Sequence, residues 1–164
     1  MGIMNLSRRE ILDAVKTGKI QVCVVGLGRI GLPTAAVFAE AGAKVIGVDI
    51  NPEIVRLVSS GRCQFPDEPG LSELVERMVK SGRLRVTGDA YSAASEADVI
   101  ILCVPTPVDE NKVPDYSAVR TACETIAKSL QRDSLIIIES TVGPGTVEDM
   151  ICLLYTSPSP RDLS

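Results

Sequence analysis

Hydrophobic positions along the chain alternate between two periods. Short apolar runs rich in Val, Ile and Leu, at 20–25, Lys44–Val48, 84–86, 98–104 and Leu135–Ile138, read as strands buried on both faces. Between them, apolar residues recur three and four apart. Leu71, Leu74, Val75, Met78 and Val79 form one such stripe, and Val119, Cys123, Ile126, Ala127 and Leu130 another, each the inner face of a helix. Residues 30–41, rich in Ala, read as a helix ending at Gly42. Helix starts are marked chemically. Asn51-Pro52-Glu53 offers an N-cap, a proline at the first helical position and an acid facing the positive dipole end. Ser7-Arg8-Arg9-Glu10 has capping-box spacing ahead of Ile11, Ala14 and Val15, which predicts an N-terminal helix within 1–19. A further helix is expected to begin at 146–151. Regular strand–helix alternation, without any other internal repeat, predicts an α/β domain over 20–151 built on a parallel, doubly wound sheet.

Composition narrows the chemistry. The chain has 164 residues, of which 47 are Val, Ile or Leu and five aromatic, with no Trp and no His. This branched-aliphatic content suits a parallel sheet, and the length suits one domain. A net charge of −4 argues against a nucleic-acid partner, which needs an excess of Lys and Arg. Lack of His excludes His-dependent triads and His-ligated metal from these residues. The apolar runs fall far short of the roughly 20 residues of a membrane span, so no membrane partner is expected. Five cysteines, none in a C-x-x-C pair, and an N-terminus without an apolar signal region fit a reducing cytoplasm. Cys23 and Cys103 lie inside apolar runs and are expected to act as small buried hydrophobes.

The last thirteen residues break the pattern. Helical periodicity stops, and a Ser-Pro-Ser-Pro stretch stands where the next strand belongs. Set against a native Pro/Ser-rich tail, the stretch 152–162 resembles, through eleven consecutive codons in one frame, the translation of a transposase-type sequencing adapter. Residues 152–164 are accordingly expected to be foreign to the fold.

The strongest chemical signal is Gly26-Leu27-Gly28-Arg29-Ile30-Gly31, which follows a strand and opens a helix, with Asp49 ending the second strand 21 residues after Gly28. A lone G-x-G-x-x-G is weak; with that context it is a dinucleotide-binding signature, and the fold expected is Rossmann-like. Gly26 serves the tight turn, Gly28 the approach of backbone to a pyrophosphate, and Gly31 the close packing of helix on strand. The helix N-terminus offers free N–H groups to the phosphates. Asp49 is expected to accept from the adenosine ribose hydroxyls and to repel a 2′-phosphate, which favours NAD over NADP. Two other segments lie at the same sheet edge. Val104-Pro105-Thr106-Pro107 alone reads more readily as a stiff loop, and Glu139-Ser140-Thr141 as a helix cap, than as a site.

Together these segments resemble the N-terminal domain of the UDP-glucose/GDP-mannose dehydrogenase family, NAD-dependent nucleotide-sugar 6-dehydrogenases. The resemblance rests on 26–34, Gly47-Val48-Asp49-Ile50-Asn51, Glu68-Pro69-Gly70-Leu71, 104–107 and 139–146, and the last two are most similar to the UDP-N-acetyl-D-mannosamine dehydrogenase branch. It implies oxidation of a UDP-sugar C6 alcohol to the carboxylate with two NAD, through a Cys-bound thiohemiacetal and thioester. It also implies that Val104, Pro105, Thr106, Pro107 and Ser140 line the cofactor. Thr141 lines it too and helps place the hydrolytic water, being far too weak an acid to be a general base. The parent enzyme is expected to be a homodimer or larger. The family's nucleophilic cysteine has no counterpart here, since none of Cys23, Cys63, Cys103 or Cys123 has its glycine-rich surroundings. Two positions depart from the family: Arg29 replaces a common Tyr and either adds a charge contact to the pyrophosphate or projects to solvent, while Ile54 stands where relatives place a cation near the ribose. Relatives also bury the sheet end and final helix against a central dimerising helix that is absent here, so this chain alone is expected to be marginally stable or aggregation-prone. UDP-glucose or GDP-mannose as substrate, or a non-catalytic NAD-binding module, are the alternatives.

Overall fold

The computed structural model describes residues 3–152. The capping box forms as expected. Ser7 and Glu10 bond reciprocally at the start of α1 (Arg8–Lys16), which follows a single 3-10 turn at Ile3–Asn5. Ser7 holds the Glu10 carboxyl below its ordinary range through their hydrogen bonds. The strands are β1 (Gln21–Val25), β2 (Lys44–Val48), β3 (Leu84–Thr87), β4 (Val99–Leu102) and β5 (Leu135–Ile138). All pair in parallel, in the order β3-β2-β1-β4-β5. This is the doubly wound sheet the alternation predicts. The fourth strand is shorter than 98–104, because Cys103 N–H still bonds to Val25 but the backbone then turns away at Val104-Pro105.

Helices cover both faces. Alternate strand residues Val22, Val24, Val45, Val99 and Ile101 pack under α2 (Gly31–Glu40) and α4 (Leu71–Lys80), with α1 at the margin. Cys23, Val25, Ile46, Ile100 and Leu102 face α5 (Ala90–Glu96) and α6 (Ser117–Ala127). Each fully buried Val or Ile here is worth roughly 1.5–3 kcal/mol. Asn51 caps α3 (Pro52–Ser59), accepting from Glu53 N–H, with Pro52 at the first position. The α5 helix has no counterpart in the hydrophobic pattern: its buried positions are Ala93 and Ala94, too small to make a stripe. The chain beyond β5 enters a π-helical segment, Val147–Cys152, where the pattern predicts a helix start. All four residues of β5 are only half-buried. Residues 153–164, most of the tail set aside above, lie outside the described residues.

Register fixes where the site forms. Val25 pairs with both Val48 and Leu102, and Leu102 pairs with Ile138, so four strands end level with one another. The loops after them leave from one edge. Between β1 and β4 the chain order reverses, which is where open α/β sheets hold their ligands.

Candidate functional site

A cleft of about 790 Å³ opens at this reversal point. Gly26, Gly28, Arg29, Ile30, Asp49, Val104, Pro105, Thr106, Ser140 and Thr141 all line it. Three other expected residues do not. Leu27 is fully buried, its side chain beneath Gly47. Gly31 stands behind the turn, and the Pro107 carbonyl accepts from Asp115 N–H at the base of a projecting loop.

The glycine turn is tightly determined. Gly26 has φ +92°, and a Cβ there would lie 2.7 Å from the Cys103 carbonyl oxygen. A Cβ on Gly31 would lie 1.8 Å from the Gly26 carbonyl oxygen, so α2 starts in contact with the strand end. Gly28 differs: its Cβ would meet nothing within 4 Å. The N–H groups of Gly28, Arg29, Ile30 and Gly31 donate to nothing among the described residues, while the next, Leu32, already bonds to the Gly28 carbonyl. Open space over a glycine and a row of unpaired N–H groups at the N-terminus of a ten-residue helix is what an anionic pyrophosphate fits.

Asp49 does more than its position predicts. One carboxylate oxygen accepts from Leu27 N–H and the other from Asn51 N–H, both at 2.9 Å, so Asp49 locks the glycine turn to the end of β2. Each oxygen keeps a second lone-pair direction for a ligand hydroxyl. Beside it the cleft is apolar, with Ile50 almost fully exposed and Ile54 and Ala90 in the lining.

At the other end, Ser140 does not cap a helix. Its hydroxyl donates to the Val104 carbonyl at 2.8 Å and ties the loop after β5 to the Val-Pro-Thr-Pro loop. Glu139 accepts from Thr34 Oγ1 and from Cys103 Sγ, both at 3.4 Å, and joins the cleft wall. Gly143 N–H donates to the Tyr116 hydroxyl at 2.8 Å, which holds the following Gly-Pro-Gly turn. Cys103 is half-buried rather than a core residue, and burial followed by the Glu139 contact pushes its thiol up to about 12. Cys23, buried as expected, is likewise pushed up to about 12 by desolvation. Neither is a thiolate at neutral pH. The wall the pattern did not reveal is α6, which presents Ser117, Thr121 and Thr125 to the cleft. Their i, i+4, i+8 spacing is the polar complement of the Val119/Cys123/Ile126 stripe and was available as a signal. No group of His, Cys, Asp and Glu that could hold a metal occurs among the described residues.

Arg29 is drawn aside. Its Nη1 lies 3.0 Å from Asp67 and 3.3 Å from Glu68, with the guanidinium 5.1 Å from the centre of the Phe65 ring. The hydrogen bond with Arg29 holds Asp67 below the usual carboxylate range.

Residues 20–162 match the profile of the UDP-glucose/GDP-mannose dehydrogenase family, NAD binding domain. The chain belongs to that family. That family model describes an NAD-binding domain, and the matched span takes in most of the tail set aside above. Similar proteins include the UDP-N-acetyl-D-mannosamine dehydrogenase of Campylobacter jejuni, 46% identical over 131 residues, covering 79% of this chain and 31% of that protein. The enzyme of the same name from Pyrococcus horikoshii is 39% identical over 135 residues, covering 82% and 32%. Among solved structures, the Pyrococcus horikoshii dehydrogenase superposes with a TM-score of 0.77 at 38% identity, over 82% of this chain and 32% of that one. A ternary complex of GDP-mannose dehydrogenase from Pseudomonas aeruginosa gives 0.77 at 32% identity, over 82% and 31%. The chain thus spans about a third of the length of these family members. No helix among the described residues is long and apolar enough to cross a membrane.

Proposed function

We propose that this chain holds NAD for a cytoplasmic nucleotide-sugar 6-dehydrogenase that oxidises the C6 alcohol of UDP-N-acetyl-D-mannosamine to the uronate, in a parent that is a homodimer or larger. The observation that carries the NAD assignment is the unfilled cradle over Gly28, with its unpaired N–H groups and Asp49 one strand away. The substrate assignment rests on the relatives' names and on the 104–107 and 139–146 loops.

In this reading Gly28, Arg29 and Ile30 offer backbone N–H groups to the pyrophosphate. Asp49 accepts from the adenosine ribose, while Ile50 and Ile54 flank the adenine. A 2′-phosphate would meet the Asp49 carboxylate and, at Ile54, no cation to balance it. Val104, Pro105, Thr106, Ser140 and Thr141 border the nicotinamide end. NAD, when bound, supplies the hydride acceptor. Thr141, with a hydroxyl at the cleft, orients water without itself taking a proton. Ser140 and Tyr116 act one step back by fixing the loop that carries Thr141.

Isothermal titration tests the cofactor assignment: these 164 residues are expected to bind NAD at least tenfold more tightly than NADP and to form no NADH when UDP-N-acetyl-D-mannosamine is added. Absence of NAD binding overturns it, and turnover by this chain alone overturns the expectation that the catalytic nucleophile lies outside these residues. A longer protein containing this chain is expected to reduce NAD faster with UDP-N-acetyl-D-mannosamine than with UDP-glucose or GDP-mannose. The reverse preference overturns the substrate assignment, and no reduction with any of them favours a non-catalytic NAD-binding module.

A further inference from the structure

The loop at 64–68 is fastened to the phosphate-binding turn at two points on either side of Gly28. Gln64 Nε2 donates to the Leu27 carbonyl at 2.7 Å, and Asp67 and Glu68 hold Arg29. The first anchor is part-buried and neutral. The second is charged and open to solvent, with the side chains of Arg29, Asp67 and Glu68 between 45% and 60% exposed. Two carboxylates share one nitrogen, Nη1, so the cluster carries a net negative charge. Nη2 and Nε of Arg29 make no hydrogen bond among the described residues. Arg29 also lines the cleft, one residue beyond the glycine over which the cradle stands open. A guanidinium is suited to bidentate pairing with either a carboxylate or a phosphate, so both anions compete for the same group.

We infer that Asp67 and Glu68 form a counter-ion latch that withholds Arg29 from the dinucleotide: the bound pyrophosphate takes the guanidinium from the two carboxylates, and their pull weakens cofactor binding and hastens its release. This rests on the NAD reading above. Exchange between two exposed anions needs only side-chain rotation, and the Phe65 ring gives the guanidinium a face to pivot on. The neutral Gln64 anchor keeps the loop in place when the charged one lets go. The latch sets affinity for the pyrophosphate and leaves recognition of the adenosine untouched.

The test compares the wild-type chain, the double variant Asp67→Asn/Glu68→Gln and the triple variant that adds Arg29→Gln, each titrated with NAD, ADP and adenosine after a thermal melt to confirm folding. The double variant is expected to bind NAD and ADP three- to tenfold more tightly than wild type, with adenosine unchanged. The triple variant is expected to lose that gain, falling at least threefold below the double. Wild-type chain that fails to bind NAD overturns the cofactor reading and the latch together. If wild type binds and the double variant binds equally or more weakly, the latch alone is refuted. Equal affinity of the double and triple variants, or equal tightening for adenosine, refutes it as well. An unfolded double variant shows that the cluster holds the fold rather than withholds Arg29, and refutes the latch too.

Discussion

Gly28 and Gly31 belong to the same motif, yet the structure assigns them opposite sensitivities to a single methyl group. In Gly31→Ala the new Cβ would lie 1.8 Å from the Gly26 carbonyl oxygen and 3.1 Å from Cys103 Cβ. An ordinary C···O contact is about 3.3 Å, so roughly 1.5 Å of separation has to be found. Neither neighbour yields readily. Gly26 is held by its N–H bond to Val48 and by the Cys103 carbonyl on its open side, and α2 is packed through Leu32, Ala35 and Ala36, all fully buried. Overpacking a core costs about 1–3 kcal/mol, occasionally more, and a backbone-on-backbone overlap belongs at the top of that range. With an m-value of about 2 kcal/mol/M, a loss of about 3 kcal/mol lowers the urea midpoint by about 1.5 M. Helix propensity alone predicts the opposite sign, since Ala is better than Gly in a helix by about 1 kcal/mol. Gly28→Ala is the control. Its methyl group enters open cleft, Gly28 lies outside the left-handed region, and stability is expected to stay within about 0.5 kcal/mol of wild type. Its NAD affinity is expected to fall at least tenfold, or about 1.4 kcal/mol, because the methyl group occupies the pyrophosphate's place. Urea melts followed by circular dichroism, with calorimetric titration, measure both quantities. A midpoint for Gly31→Ala equal to or above wild type refutes the packing reasoning, and undiminished NAD binding by Gly28→Ala refutes the path assigned to the pyrophosphate.

Two further outcomes follow from the cleft wall. Tyr116→Phe removes the acceptor of the part-buried Gly143 N–H, an expected loss of about 1–2 kcal/mol; hydrogen exchange at Gly143 should quicken about tenfold, and unchanged exchange would mean the hydroxyl does not hold the loop. Cys103, with a thiol pushed up from 9.0 to about 12, stays protonated through neutral pH. At pH 8 it should react with iodoacetamide more than about a hundredfold slower than a free cysteine, and peptide mapping that finds equal rates would contradict the burial of the thiol and, after it, the Glu139 contact. The sign for stability follows from the same shift: the unfolded thiol ionises first, so this contribution is complete below pH 9.0 and declines as pH rises toward about 12.

The layers of the fold were legible because hydrophobic period reports which face is buried. Runs such as Leu135–Ile138 and stripes such as Leu71/Val75/Met78 each had one physical reading, and Asn51-Pro52-Glu53 marked its helix start by the same donors it satisfies in the structure. Helix α5 escaped because Ala93, Ala94 and Ala97 fill a shallow space against the sheet where larger side chains would not fit, and small residues leave no periodic trace. The site was legible only in part. Glycines and Asp49 carry a local spacing, whereas Arg29 with Asp67, Cys103 with Glu139 and Thr34 with Glu139 are joined across 38, 36 and 105 residues. Such pairs are made by strand register, which no local window contains.

The link between Gly26 and Cys103 shows how far this goes. The spacing of the motif demands glycine at 26 for a tight turn, and that much is written locally. The structure adds a second demand from 77 positions away: β4 runs beside β1 rather than beyond β3, and this puts the Cys103 carbonyl 2.7 Å from where a Cβ of Gly26 would stand. The same neighbour relation brings Val104 and, through β5, Ser140 and Glu139 to the turn. A residue read as part of a phosphate loop is therefore also the seam between the two halves of the sheet. Substituting it would disturb the loops after β1, β4 and β5 together, whereas a change at Gly28 is confined to the cleft.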